Sequence, residues 1–158
     1  MTDNAAKAFH PHIPHFAPVR RQNQPILLHV TVTVAGRAPI LANEQVHSVL
    51  TEAWRQADLW RTGEYVIMPD HVHLFCSPKT AEGYPIRKWI GYWKRLVGNL
   101  DASLKSRFQE DCWDTQMRDR AHYEEKLSYV RNNPVRKELV VDWQMWPYRG
   151  QVNQLIWL

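Results

Sequence analysis

His71 and His73 are separated by one apolar residue in the stretch YVIMPDHVHLF, which begins at Tyr65. On a β-strand, residues two apart share a face, so both imidazoles point to one side while Val72 and Leu74 turn to the core. Two convergent imidazoles are half of a divalent-metal site, because neutral imidazole is a common metal ligand. A second candidate lies downstream. At about 100° per residue, Tyr123, Leu127 and Val130 form one narrow apolar helix stripe, and Tyr129 falls about 110° from its centre. Its neighbours on that flank are His122, Lys126 and Asn133. A tyrosine set between a cation and a carboxamide can act as a covalent nucleophile. Its phenol, with an ordinary pKa of about 10, needs a strongly polarised target, and a metal ion on a phosphate supplies one. Asn133, four residues after Tyr129, offers its amide oxygen as a third ligand beside His71 and His73. Lys126 is placed to stabilise the phenolate or the phosphate. In combination these residues point to a phosphotyrosine-forming nuclease.

The composition fits such a partner. The chain has 158 residues, enough for one compact domain with a sizeable core. Twenty Lys and Arg against sixteen Asp and Glu give a formal charge of +4, which favours a polyanion. Candidate phosphate contacts are Arg20, Arg21, Arg87, Lys88, Lys94, Arg95, Arg118, Arg120 and Arg136. Of the eight tryptophans, most are expected in the core and a few free to stack on bases. The two cysteines, Cys76 and Cys112, have neither the number nor the spacing of a disulfide scaffold or a zinc ribbon. No apolar run approaches the roughly 20 residues that span a membrane, and no signal peptide opens the chain, so a cytoplasmic protein is expected.

The elements that must position these residues can be read from periodicity and caps. Residues 1–24, with Pro11, Pro14, Pro18 and three scattered histidines (His10, His12, His15), form a loose arm; residues 25–158 form a single domain. Residues 26–34 alternate as a strand. Asn43 caps a helix that runs to about Asp58, burying Val46, Val49, Leu50, Ala53 and Trp54. Residues 65–68 and 72–77 pair as a hairpin about Pro69 and Asp70. Pro85 opens a helix to about Leu100, with Trp89, Trp93, Leu96 and Val97 inward and Arg87, Lys88, Lys94 and Arg95 outward. A short strand lies within residues 107–117. Asp119 caps a third helix to about Asn133, stopped by Pro134. Residues 139–141 form a turn or strand, and 143–158 are aromatic and irregular. This order is α+β, with a mainly antiparallel sheet of the split βαβ, ferredoxin-like kind.

The block MPDHVHL from Met68, followed by WDTQMRD from Trp113 and YVRNNPVRKELV from Tyr129, resembles the HUH single-tyrosine transposases. Within that superfamily it is most similar to the REP-associated tyrosine transposases, over about residues 26–148. The resemblance implies that His71 and His73 are the HUH metal ligands and that Asn133 completes the site with Mg²⁺ or Mn²⁺. It implies that Tyr129 attacks single-stranded DNA, leaving a 5′-phosphotyrosine and a free 3′-hydroxyl. The partners it implies are single-stranded or hairpin DNA resembling REP palindromes, bound by a monomer rather than a dimer in the bacterial nucleoid. One departure is local: many relatives carry Ala-Gly after Asn-Pro-Val-Arg, where this chain has Lys137 and Glu138.

Three other readings compete. A replication initiator or relaxase shares the HUH block, but initiators often place lysine four residues after the tyrosine, and relaxases often place the tyrosine upstream. A catalytically silent nucleic-acid-binding module uses the same sheet without chemistry. A structural zinc site would need a distant ligand, since Cys76 has the opposite strand parity to His71 and His73.

Overall fold

The computed structural model describes residues 17–20, 25–80 and 83–156. Five strands, β1 (Leu28–Thr33), β2 (Trp60–Ile67), β3 (His71–Pro78), β4 (Trp113–Gln116) and β5 (Arg149–Gln151), form one antiparallel sheet in the order β4-β1-β3-β2-β5. Helix α1 (Glu44–Gln56) follows β1 and α2 (Ile86–Leu100) follows β3. The first four strands and these two helices make the βαββαβ order of a ferredoxin-like fold, to which β5 adds an edge.

Both faces of the sheet are covered. Leu28, Val30, Val32, Tyr65, Ile67, Val72, Leu74 and Cys76 pack against Trp54 of α1 and Trp89 and Trp93 of α2. Trp54 meets Trp93 edge-on at 5.9 Å between centroids. The opposite face carries Leu27, Val66, Met68 and Phe75 under α3 (Arg120–Arg131), which contributes Leu127 and Val130. Because β3 is covered on both sides, its alternation does not separate core from solvent; it separates two packed layers. His71, His73 and Phe75 face the α3 layer.

The caps act as the sequence indicates. Asn43 accepts the Val46 amide at 2.9 Å and Asp119 accepts that of His122 at 2.7 Å. The differences are physical. Strand β2 begins at Trp60 rather than residue 65, because a register shift between Thr62 and Tyr65 resets its parity and hides the alternation. Only four of residues 107–117 form β4, while Phe108 makes an isolated bridge to Val34. Strand β5 is three residues long, too short to show a period. Pro134 does not end a continuous helix: α3 stops at Arg131, and Pro134 sits in the first turn of the short α4 (Asn133–Arg136), where its missing N–H costs nothing. The expected N-terminal arm falls mostly outside the described residues; Val19 exchanges two hydrogen bonds with the Gln116 side chain on β4.

Two stability consequences follow. Glu138, just after α4, adopts φ 58°, a left-handed conformation costing an L-residue roughly 1–2 kcal/mol. Glu138→Gly removes that strain and adds some unfolded-chain entropy, so a net gain of about 0.5–1 kcal/mol is expected in urea unfolding. Cys76 and Cys112 are buried, and burial pushes the Cys112 thiol up to about 12 and that of Cys76 well above its usual range. Both should resist thiol reagents in the native protein at mildly alkaline pH and react once it is unfolded. A raised folded pKa contributes fully below the unfolded value and is lost as pH rises to the folded one, so the Cys112 contribution should be lost as pH climbs from about 9 to about 12.

Candidate active site

The turn at Pro69 and Asp70 delivers His71 to the first position of β3. It is pinned by the Met68 amide on His71 O (2.8 Å), the Val34 amide on Asp70 O (2.9 Å) and the Leu41 amide on Pro69 O (2.9 Å). Two residues on, His73 shares the same face, and the two Nε2 atoms stand 3.1 Å apart with the rings nearly perpendicular. Asn133 approaches from the other side. Its side-chain nitrogen lies 2.7 Å from His73 Nε2 and 3.3 Å from His71 Nε2. All three side chains are buried.

The outer ring nitrogens fix the tautomers. His71 Nδ1 donates to Asp70 Oδ1 at 2.7 Å, which leaves Nε2 as a lone pair. Asp70 is itself held by Arg37, whose Nε donates to Oδ2 at 2.8 Å. His73 Nδ1 lies 3.0 Å from His29 Nε2 and 3.1 Å from Thr31 Oγ1, and the His29 ring stacks on His73. We assign His73 Nδ1 as the donor to His29, which again turns an Nε2 lone pair inward. Burial, aided by Lys126, holds His29 down to about 3 and keeps it neutral. Burial also lowers His71, against the opposing pull of Asp70, and takes His73 well below the usual histidine range, helped by His29 and His71.

Two imidazole lone pairs and a carboxamide aimed at one point are a donor set for a divalent cation. Ligands at about 2.0–2.2 Å around an octahedral ion lie about 3 Å from one another. The observed edges of 3.1, 3.3 and 2.7 Å match that spacing. A half-turn of the Asn133 amide presents Oδ1 to the same point. The residues therefore fit the metal that the sequence suggests. Among the described residues no cluster of three His, Cys, Asp or Glu side chains forms an alternative site. His29 sets the orientation of His73, so His29→Phe should weaken Mn²⁺ binding about 10–100-fold in calorimetry. His29→Gln, which keeps an acceptor, should lose less.

Tyr129 sits on the last turns of α3 and is 53% exposed, off the apolar stripe as its phase indicates. Two cations cover its ring: the Arg136 guanidinium at 3.6 Å from the centroid and Lys126 Nζ at 5.4 Å. The chain breaks between α3 and α4 at Asn132 (φ −86°, ψ 1°), whose side chain bonds back to Ser128 O at 2.9 Å. This break falls between Tyr129 and Asn133 and lets one stay exposed while the other is buried.

The basic residues divide. Arg87, Lys88, Lys94 and Arg95 lie on α2, across the sheet from the histidines. Lys94 Nζ is spent on Gln109 O at 2.7 Å, and Arg87 faces Asp111 at 3.8 Å. Arg120 pairs with Glu124 at 3.0 Å at the start of α3, and Arg118 and Arg20 are also engaged. Arg21 lies outside the described residues. Arg136, expected as a phosphate contact, is found against the tyrosine. Sequence reasoning missed the supporting roles of His29, Thr31, Asp70 and Arg37. The alternation of His29, Thr31 and Thr33 carried the signal for the first two, because β1 pairs with β3 so that Thr31 stands opposite His73. The same row places Trp113 opposite Thr31 on the histidine face, 64% exposed.

No family model matches the chain, and no curated protein does. Among solved structures, a REP-associated tyrosine transposase bound to a REP hairpin matches with a TM-score of 0.70 and 18% identity. The match covers 89% of this chain and 95% of that one. The likeness is one of fold: an antiparallel sheet with helices packed on it.

Proposed function

We propose that the chain is a metal-dependent single-stranded DNA endonuclease and strand transferase acting on hairpin DNA through Tyr129. The observation that carries this reading is the donor triangle of His71, His73 and Asn133, joined through one chain break to an exposed tyrosine beneath two cations. The fold it shares with a hairpin-bound transposase supports the same substrate class.

His71, His73 and Asn133 would hold Mg²⁺ or Mn²⁺, which would act as a Lewis acid on the scissile phosphate. Tyr129 Oη attacks phosphorus and forms the Tyr–O–P bond as the P–O3′ bond breaks. The phenolic proton is released, and the departing 3′-oxygen takes up a proton to leave as a hydroxyl. Arg136 and Lys126 stabilise the phenolate during attack, and Arg136 also restrains the ring. Strand transfer is the same step reversed with a different 3′-hydroxyl. The DNA backbone runs over the face formed by α3 and α4, where Lys126 and Arg136 lie, and Trp113 offers a base-stacking surface at the sheet edge.

The test is a cleavage assay on hairpin oligonucleotides from the flanks of the gene, labelled at either end, with Mn²⁺ or with EDTA. The 3′ fragment should become protein-linked and the 5′ fragment should leave with a free 3′-hydroxyl, only with metal. Tight hairpin binding with no cleavage would favour the silent binding module instead.

A further inference from the structure

Beside His71 the surface sinks into a cleft of about 250 Å³, a size that suits one nucleobase rather than a larger ligand. Its apolar lining is Pro39, Met68, Pro69 and Leu139, which we take as the floor, and its charged lining is Arg37, Lys137 and Asp70. One end is His71 itself, so the cleft borders the donor triangle at that residue, on the side of Asp70 and Arg37.

Both cations have capacity to spare. Among the described residues Arg37 bonds only through Nε, to Asp70, and its terminal amino groups are uncommitted. It is held there by an unusual backbone: Gly36 at φ 69° and Arg37 at φ 58° are both left-handed. The Lys137 ammonium has no hydrogen-bond or ion-pair partner among the described residues, and its charge acts on His71.

A phosphate alone would leave the apolar floor idle, whereas an unpaired base uses floor and charged lining together. Asp70, the carboxylate in the lining, has Oδ1 engaged by His71 Nδ1 and Oδ2 by Arg37 Nε, so the two cations select an edge with acceptors. Guanine presents O6 and N7 side by side, while adenine places an amino donor next to N7.

We propose that this cleft takes the unpaired nucleotide next to the scissile phosphate, its base on the Pro39, Met68, Pro69 and Leu139 floor, and favours guanine through Lys137 and Arg37. This rests on the nuclease reading of the site. The test uses hairpin oligonucleotides that differ only at the two nucleotides flanking the scissile phosphate, each carrying A, C, G, T or an abasic residue. Initial adduct rates should favour guanine at one of the two positions about tenfold over adenine or the abasic residue. Lys137→Ala, an exposed substitution, should bring that ratio close to one. Fluorescence anisotropy with Tyr129→Phe protein reads the same preference in binding, without chemistry. Equal adduct rates and equal affinities across the set would overturn the cleft and leave the nuclease standing. Guanine-selective binding that Lys137→Ala abolishes, with no adduct from any oligonucleotide, would uphold the cleft and overturn the nuclease. No binding and no adduct would overturn both.

Discussion

Tyr129→Phe should abolish the covalent protein–DNA product, a loss on the order of 10⁴-fold or more, while hairpin affinity changes little. The phenyl ring keeps its place under Arg136 and Lys126, since both contacts are with the ring and not the hydroxyl. The side chain is 53% exposed, so removing one oxygen leaves no buried donor unsatisfied and no cavity. A gel assay for the adduct, beside anisotropy on the same oligonucleotides, separates chemistry from binding. Loss of both together would mean that the tyrosine anchors DNA instead of attacking it.

His73→Ala should have the next largest effect. It removes the donor shared by the shortest edges of the triangle and leaves His29 and Asn133 facing a gap. Mn²⁺ affinity should fall by more than about 100-fold in calorimetry, beyond the effect expected for its supporting partner His29, and the adduct should disappear with it. Raising the metal concentration should not restore more than a small fraction, because two remaining ligands cannot fix the ion against the nucleophile. An unchanged Mn²⁺ isotherm would show that the ion sits elsewhere.

Much of this site could be read from residue order because its parts are local. The face shared by His71 and His73 follows from strand parity, and the exposure of Tyr129 follows from helical phase. The caps Asn43 and Asp119 are four-residue patterns, each side chain reaching the amide three residues ahead. What could not be read depends on pairing across the sheet. His29 contacts His73 only because β1 and β3 align in one register, and a slip of one residue would turn His29 to the α1 and α2 layer. Arg136 reaches Tyr129 only because the chain turns at Asn132, which a continuous helix ending at Pro134 would not do. The same gap in long-range information made the α2 cations look equivalent to those of α3. Both helices are amphipathic, and only the assembled sheet shows that it separates α2 from the histidines.

The most direct measurement is tandem mass spectrometry of the adduct formed with a short hairpin oligonucleotide and Mn²⁺, after nuclease and protease digestion. The account predicts a nucleotide mass on the peptide containing Tyr129, localised to that residue and absent with EDTA. A nucleotide on any other residue, or an intact cleaved product with no protein-linked fragment, would contradict it.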